Sequence, residues 1–428
     1  MRRAASSGVL VIMGSGETSP TMVTLHRRLV RGLGTDRPEA VLLETPYGFQ
    51  ENVADISARA QGYFSRSVDL RVSVLPGMRG HDDGGADVDG GLAALRTADW
   101  IFSGPGSPSY ALEHWRHGPV ARALRERVAA RRGVTVLASA AAATMGRFAV
   151  PVYEIYKVGA VPRWLDGLDL LGGLGLDVAV IPHYDNTEGG THDTRYSYLG
   201  ERRLAVLEEA LPVDAAVLGV DEHSAVVLDL VAETVEVTGR GGLTVRRAGR
   251  SWVLTSGTTA TLADLRALVR QGRREPVPPP ATVRIPAQPP ARPVPPTLSE
   301  LAAECERRFA AGQQGRDSAE MVRAVLELEA GIEEWAADTE EDDGTKQARA
   351  VLRTLIVRLG DVATVGLRDP GERLRPLVEP LIALRQRLRD EHAFPTADLI
   401  RDALNAGGLE LRDTGRGTEW SPYPPAGD

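Results

Sequence analysis

The chain has 428 residues, enough for two or three domains, and 43% of them are hydrophobic, as in an ordinary globular protein. Its 50 basic and 58 acidic residues give a net charge of −8, which argues against a protein that binds nucleic acid through a generally basic surface. The single cysteine, Cys305, excludes an intramolecular disulfide, and no Cys and His pattern for zinc can be assembled, so we expect no metal and no cofactor.

The N-terminal segment predicts a buried first strand. Two arginines precede an apolar run of about seven residues that ends in glycines, which is too short for the hydrophobic region of a signal peptide. No stretch of the chain has the length and apolar character needed to cross a bilayer. We therefore expect a cytoplasmic protein with no membrane partner.

Residues 1–270 alternate short apolar runs with amphipathic stretches. The apolar runs are Val9–Met13, Ala40–Leu43, Leu70–Leu75, Trp100–Phe102, Val134–Leu137, Val178–Ile181 and Ala215–Gly219. The amphipathic stretches include Val23–Leu33, Val53–Phe64 and Pro119–Arg132. This alternation predicts an α/β domain with a doubly wound, mostly parallel sheet that helices cover on both faces. Four shorter segments between residues 225 and 256, separated by glycine turns, predict an antiparallel meander at its end.

Residues 271–297 predict a linker, because residues 276–296 hold ten of the 28 prolines. Such a segment favours extended polyproline structure and acts as a semi-rigid spacer; a binding site for a proline-recognising module is the alternative. Residues 298–428 then predict a small helical domain with a terminal β-hairpin, closed after its last helix by Gly407–Gly408. Their 26 acidic and 17 basic residues give a net charge of −9. Nine of the acids fall between residues 327 and 343 with no base among them, which makes this stretch a poor surface for approaching phosphates.

Two glycine-rich loops follow predicted strands of the front domain: Gly14–Glu17 and Gly104–Ser109. In open α/β sheets, ligands bind at the carboxyl ends of strands, and glycine allows backbone N–H groups to converge on an anion. Gly16, Glu17 and Ser107 are therefore candidate substrate-binding residues. Tight turns without a ligand are the alternative, since no GxxxxGK[ST] phosphate loop is present.

Ser139 stands at a predicted strand-to-helix turn. Such a turn is typical of a nucleophile elbow, which projects the hydroxyl above the sheet and places the next N–H, that of Ala140, near a developing oxyanion. The usual signature has glycine two residues before and after the serine, where this chain has Leu137 and Ala141. The alternative is that Ser139 is a polar residue that caps the alanine-rich helix.

His183 ends another predicted strand, and a polar loop follows it. Arg195 in this loop is a candidate for bidentate binding of a substrate carboxylate, with a structural salt bridge as the alternative. After the next strand come Asp221 and Glu222, where a carboxylate could orient His183 as in a serine triad. Acids in surface turns are common, so this motif depends on the others.

Taken in order, these features resemble the class I glutamine-amidotransferase-like fold, and within it the aspartyl dipeptidase and cyanophycinase group of serine peptidases. The resemblance covers about residues 8–265 and implies a flavodoxin-like three-layer domain that acts on a small-molecule or peptide substrate. The family's GTSAGA-type elbow, histidine motif and Gly-Ile-Asp-Glu segment match Leu137–Ala142, Ile181–Tyr184 and Gly219–Glu222. The loop that is Gly-Gly-Asp/Asn-Gln in many members is Gly-Pro-Gly-Ser here.

The resemblance implies that Ser139 is the nucleophile, that His183 is the general base and acid, and that Glu222 is the orienting carboxylate. It also implies oxyanion donors from the amides of Ala140 and Gly106. Two further acids, Glu154 and Asp221, are reserve candidates for the orienting role. No cysteine precedes Cys305, which excludes a Cys-dependent glutaminase in this domain.

Residues 385–420 resemble the C-terminal end of cysteinyl-tRNA synthetases. The matching residues are Phe394, Ala397, Asp398, Ile400, Arg401, Asp402, Leu404, Leu411, Asp413, Thr414, Gly417, Thr418 and Trp420. That family's region faces tRNA, and six arginines between residues 368 and 389 could meet phosphates; arginine stems that cover a helix bundle are the alternative. No HIGH-like or KMSKS-like segment occurs, so aminoacylation is not expected. A catalytically silent binding or tRNA-interaction protein is the alternative to a serine hydrolase, and a homodimer is compatible with the sequence.

Overall fold

The computed structural model describes residues 8–78, 87–189, 191–270, 295–336, 338, 344–366, 369–415 and 417–422. The chain divides into two compact units. The first unit comprises Met1–Glu304 and Glu327–Arg349, and the second comprises Cys305–Leu326 and Ala350–Asp428. Most of the predicted linker, residues 271–294, lies outside the described residues, so the domain boundaries drawn from it stay a prediction.

The front part of the chain alternates strands and helices as far as residue 270. In chain order its elements are β1 Val9–Met13, α1 Val23–Gly32, β2 Ala40–Leu42, α2 Val53–Tyr63, β3 Val72–Val74, α3 Val88–Thr97, β4 Trp100–Ser103, α4 Pro108–Trp115, α5 Pro119–Ala129, β5 Val134–Ala138, α6 Ser139–Ala143, β6 Phe148–Ala149, α7 Val152–Tyr156, β7 Leu165–Asp166, β8 Val178–Ile181, α8 Gly200–Glu209, β9 Ala216–Val220, β10 Ser224–Asp229, β11 Thr234–Gly239, β12 Gly242–Arg247, β13 Arg250–Thr255, β14 Thr259–Thr261 and α9 Leu262–Arg270.

These strands form two sheets. The first has the order β14-β11-β10-β1-β5-β4-β2-β3, and β1, β5, β4, β2 and β3 run parallel to one another. The second has the order β13-β12-β9-β8-β6-β7, with β6, β8 and β9 parallel. The four segments of the predicted meander are present as β10 to β13. They form two hairpins, one in each sheet. Strands β10 and β11 pair in the first sheet. After Gly239 the chain continues into β12, which pairs with β9 and β13 in the second sheet.

Strand β1 shows why the sheet is covered on both faces. Leu10 and Ile12 point into the largest core cluster, which also contains residues of β8, β9 and β12 and so joins the two sheets. Val11 and Met13, which alternate with them, pack into a second cluster with Leu25 of α1. A third cluster places α8 against the outer face of β8 and β9. The predicted α/β class, with helices on both sheet faces, is confirmed.

The remaining elements are α10 Leu298–Gly315, α11 Ser318–Trp335, α12 Gly344–Gly366, α13 Pro370–Asp390, α14 Phe394–Ala406, β15 Leu409–Thr414 and β16 Gly417–Pro422. The predicted helical domain and terminal hairpin are confirmed. In the second unit, Leu409 and Leu411 of the hairpin pack against Val378 of α13 and Leu404 of α14. None of the described helices combines the length and the apolar character that crossing a membrane requires.

Arg385 of α13 ties the hairpin to the helix. Its side chain is almost completely buried, and its two terminal nitrogens donate to the two carboxylate oxygens of Asp413 at 2.8 and 2.9 Å. The Thr418 hydroxyl oxygen also accepts from Arg385, at 2.9 Å. Asp413 and Thr418 belong to the synthetase-like motif, so this part of the motif has a structural role. The burial of Arg385 agrees with the alternative of arginines that serve the helix bundle, and phosphate contact by the other arginines stays a prediction.

We expect Arg385→Met to destabilise the second unit by about 2 kcal/mol, because charged hydrogen bonds to Asp413 are lost from a buried site. Backbone amides of the β15–β16 hairpin should then exchange hydrogen at least about tenfold faster in the full-length chain. Arg412→Met is the matched control, since its side chain is 74% exposed and pairs with Glu410 on the surface. Equal exchange in the two variants would contradict this role of Arg385.

Candidate functional site

Ser139 occupies a sharp turn between β5 and α6. Its φ is +45°, a left-handed conformation that strains any residue other than glycine. The hydroxyl does not cap the helix, whose N-cap is Ala138 without a side-chain hydrogen bond. Instead, Ser139 Oγ lies 2.9 Å from His183 Nε2, within hydrogen-bond distance. The capping interpretation is therefore wrong, and the turn has the strained geometry that a nucleophile elbow requires.

The core accommodates the side chains of Leu137 and Ala141, which stand where the usual elbow signature has glycine. Leu137 and Ala141 are both completely buried and belong to the cluster that joins the two sheets. The Ala141 N–H donates to the carbonyl of Gly104 at 3.1 Å, which links the elbow to the second glycine-rich loop. A leucine therefore fits at this turn because its side chain points into the core.

His183 follows β8 and connects the hydroxyl to a carboxylate. Its Nδ1 lies 3.0 Å from Glu222 Oε1, so the imidazole bridges Ser139 and Glu222. Burial alone would lower the pKa of His183. The hydrogen bond and charge of Glu222, together with the charges of Glu17 and Glu188, outweigh burial and raise this pKa above its ordinary value. The protonated form of the imidazole is therefore stabilised.

Glu222 follows β9 and is held from two sides. Its Oε1 also accepts from the Asn186 side-chain amide at 2.9 Å, and its backbone N–H donates to Asp185 Oδ1 at 2.7 Å. Burial alone would raise the pKa of Glu222, but the hydrogen bonds from His183 and Asn186 keep it below its usual value. Asn186 was missed by the sequence reasoning, because a single amide in a polar loop carries no pattern.

The two reserve acids do not take the orienting position. Asp221 Oδ2 accepts from the backbone N–H of Gly242 at 2.7 Å, and burial together with the charge of Asp185 raises the pKa of Asp221 to about 6. Glu154 lies on α7 and lines a neighbouring cavity. Within the described residues, neither carboxylate is hydrogen-bonded to His183. Glu222 is therefore the acid that the geometry couples to the imidazole.

A cavity of about 400 Å³ opens above Ser139 and is lined by His183, Glu222 and Gly106. Gly106 has φ +127°, and a Cβ added there would lie 2.1 Å from the Pro46 carbonyl oxygen. Only glycine can bring the chain into this position, at the rim of the cavity. The sequence reasoning missed most of the other lining residues, which include Tyr47, Gln50, Tyr153, Tyr156, Lys157 and Glu188.

We expect Gly106→Ala to destabilise the first unit by more than about 1 kcal/mol, because φ is positive there and the new methyl group meets backbone atoms. The matched control is Gly32→Ala at the end of α1, where an added Cβ meets no atom within 4 Å. Thermal unfolding of both variants checks the prediction, and equal stability would contradict it.

Three of the predicted substrate-binding residues occupy tight turns. Ser107 caps α4 by accepting from the Tyr110 N–H at 3.2 Å. Gly16 has φ +66°, and a Cβ there would lie 2.1 Å from Nδ1 of His223. Glu17 is completely buried, with its Oε1 2.7 Å from the position of a Cβ on Gly104. These contacts agree with the alternative of turns alone, and a role in anion binding stays a prediction.

Arg195 forms a salt bridge with Asp193 on the protein surface. Its guanidinium donates to both carboxylate oxygens of Asp193, at 2.8 and 2.9 Å, and lies over the Tyr196 ring. This is the salt bridge that the sequence analysis gave as the alternative. Carboxylate binding by Arg195 requires that this pair opens, and it stays a prediction. Within the described residues, no group of histidine, cysteine and acidic side chains could hold a metal ion.

Sequence comparison finds relatives for the C-terminal region of the chain. A cysteine–tRNA ligase of Thermosipho melanesiensis is 26% identical over 129 residues, which is 30% of this chain and 27% of the ligase. That of Lachnospira eligens is 33% identical over 105 residues, 24% and 21% of the two chains. That of Carboxydothermus hydrogenoformans is 46% identical over 50 residues, 12% and 11%. The chain thus spans about a quarter or less of these ligases, and the predicted resemblance is confirmed. No protein-family model matches the chain.

Structural comparison finds similar solved structures, among them two described as peptidases. A peptidase from an acI-B1 Actinobacterium has a TM-score of 0.48 and 19% identity, over 60% of this chain and 97% of that one. A putative peptidase E protein from Listeria monocytogenes has a TM-score of 0.38 and 17% identity, over 55% of this chain and 100% of that one. By its own strand order and by sequence similarity, the chain combines an α/β front part with a C-terminal region similar to cysteine–tRNA ligases.

Proposed function

We propose that the first unit is a serine hydrolase that cleaves an amide or peptide bond. The observation that carries the proposal is the continuous chain from Ser139 Oγ to His183 Nε2 at 2.9 Å and from His183 Nδ1 to Glu222 Oε1 at 3.0 Å. These residues are far apart in sequence and meet at the edge of the cavity. The strained φ of Ser139 supports the same assignment, because strain of this kind concentrates at functional sites.

In the proposed first half-reaction, Ser139 Oγ attacks the substrate carbonyl carbon while His183 Nε2 takes the hydroxyl proton. The carbonyl oxygen becomes an oxyanion, for which the N–H groups of Ala140 and Gly106 are the proposed donors. The tetrahedral species then collapses, the C–N bond breaks, and His183 gives its proton to the leaving nitrogen. Glu222 stabilises the imidazolium during both proton transfers and keeps the proton on Nδ1.

In the second half-reaction, water attacks the ester carbon of the acylated Ser139. His183 takes a proton from this water and returns it to Ser139 Oγ as the ester bond breaks, which releases a carboxylic acid and restores the free serine. Substrates are proposed to be small molecules or peptides, bound in the cavity above Ser139. We also propose a cytoplasmic location.

The test uses a fluorophosphonate, which reacts with activated serines and does not require knowledge of the substrate. Incubation of the folded full-length chain at pH 8 should add one phosphonyl group per chain, as measured by intact mass spectrometry. Protein unfolded in urea is the control and should not react, since activation depends on the folded arrangement. A folded protein that gains no mass would overturn the proposal.

The similarity of the C-terminal region to cysteine–tRNA ligases favours a second candidate function, contact with tRNA. Its test is a gel shift of the full-length chain with unfractionated tRNA at physiological salt. A dissociation constant below about 10 μM that weakens as salt rises would support contact, because phosphate binding releases counterions. No shift at that concentration would discard it. A homodimer remains a proposal that the sedimentation coefficient would decide.

A further inference from the structure

His223 lies in the same cavity as Ser139, and the proposed mechanism does not use it. It directly follows Glu222 in the chain, and its backbone is in the left-handed conformation at φ +49°. The ring is held at Nδ1, which lies 3.1 Å from the hydroxyl oxygen of Thr21. Trp335, which belongs to the same compact unit, contacts the ring edge to face at a centroid distance of 5.6 Å.

A chain of hydroxyl groups determines which nitrogen of this ring carries the proton. Ser19 Oγ donates its only hydrogen to the carbonyl oxygen of Gly16 at 2.7 Å. The hydrogen bond between Ser19 Oγ and Thr21 Oγ1, at 2.6 Å, must therefore use the hydrogen of Thr21. Thr21 then has no hydrogen left to donate to His223, and neither has Ser19, whose Oγ lies 3.5 Å from Nδ1. Both hydroxyl oxygens can therefore only accept from Nδ1. His223 is consequently the Nδ1–H tautomer.

The other ring nitrogen, Nε2, then carries a lone pair. Within the described part of the chain it has no hydrogen-bond partner, and His223 lines the cavity. Burial, with the charge of Arg240, outweighs the charge of Glu222 and lowers the pKa of His223 to about 4. The ring is therefore neutral at neutral pH, and Nε2 is an acceptor rather than a donor.

We propose that Nε2 of His223 accepts a hydrogen bond from an N–H group of the substrate, so that the site selects amides or peptides that carry such a donor near the scissile bond, because His223 and Ser139 line the same cavity. This inference rests on the proposed hydrolase function and adds a specificity-determining residue to it. A substrate that presents an oxygen at this place would set two lone pairs against each other and leave the acceptor without a partner.

The first test measures the tautomer without reference to activity. A ¹⁵N–¹H correlation spectrum of the full-length chain, with ¹⁵N-labelled histidine and His223 assigned by comparison with His223→Phe, should show a proton on Nδ1 and none on Nε2 at pH 7. A ring protonated at Nε2, or at both nitrogens, would overturn the proposal.

The second test compares two reagents that modify Ser139: an α-acylamino diphenyl phosphonate and its α-acyloxy counterpart, in which oxygen replaces N–H. The wild-type chain should react about tenfold faster with the N–H reagent, as expected for one hydrogen bond in a cavity. In His223→Phe the ratio of the two rates should fall to within about twofold of one. His117→Phe, which changes an exposed histidine of the same unit, is the control and should keep the wild-type ratio.

A wild-type ratio near one, or an unchanged ratio in His223→Phe, would overturn the selectivity. If neither reagent modifies the wild-type chain, the hydrolase function itself fails, and the ¹⁵N spectrum still reports separately on the tautomer. Should His223→Phe not fold, the wild-type ratio and the spectrum remain sufficient to contradict the proposal.

Discussion

Ser139→Ala should abolish reaction with a fluorophosphonate, with a loss of at least about 10⁴-fold in rate, because no other group replaces the nucleophile. The fold should be unaffected, since alanine takes the same strained φ of +45° and fills nearly the same volume. We expect the free energy of unfolding to change by no more than about 1 kcal/mol. Labelling measured by mass spectrometry and unfolding measured by circular dichroism check both statements.

Ser139→Gly separates the role of the hydroxyl from that of the backbone. It should be as unreactive as Ser139→Ala but more stable by about 1 kcal/mol, because glycine adopts a positive φ without strain. Residual labelling in either variant would show that another residue is the nucleophile. Equal stability of the two variants would show that the elbow is not strained.

Glu222→Gln should lower the rate of Ser139 modification by about 10⁴-fold while leaving the fold intact. The amide still accepts from Asn186, but it can also present its NH₂ group to His183 and select the wrong tautomer. The measurement is the second-order rate of phosphonylation over a range of pH. Asp221→Asn is the matched control, because Asp221 is the adjacent acid and accepts from Gly242 instead. It should react within about threefold of wild type.

The same variant should change the pH dependence. Ser139 reacts when His183 is neutral, so the rate rises with pH through the pKa of His183. Glu222 raises that pKa in the wild type, which places the midpoint of the rise above the ordinary histidine value. Loss of the negative charge in Glu222→Gln should move the midpoint to lower pH. A midpoint that does not move would contradict the coupling of His183 to Glu222.

Much of the front fold could be predicted from local patterns. The runs Val9–Met13 and Val178–Ile181 are strands with the predicted bounds, because apolar residues that are buried on both faces form continuous runs. The division of the strands into two sheets could not be predicted. The segments on either side of Gly239, β11 and β12, have the same alternating sequence pattern. Only the tertiary structure determines that β12 pairs with β9 of the second sheet.

Sequence motifs could predict the central residues of the site, but not the residues that hold them in place. The resemblance named Ser139, His183 and Glu222, and the geometry brings them into hydrogen-bond distance. The residues that hydrogen-bond to the site residues could not be found from motifs. Asn186 holds Glu222 from a polar loop, and the tautomer of His223 depends on hydroxyl groups about 200 residues earlier in the chain. Single polar residues of this kind have no spacing that sequence reasoning can use.

The most direct test of the proposed catalytic site is a crystal structure of the full-length chain after reaction with a phosphonate. We expect a covalent bond from Ser139 Oγ to phosphorus, with one phosphonyl oxygen 2.7–3.1 Å from the backbone nitrogens of Ala140 and Gly106. His183 should remain between the adduct and Glu222. An adduct on any other residue, or a phosphonyl oxygen directed away from both amides, would contradict the proposed serine hydrolase.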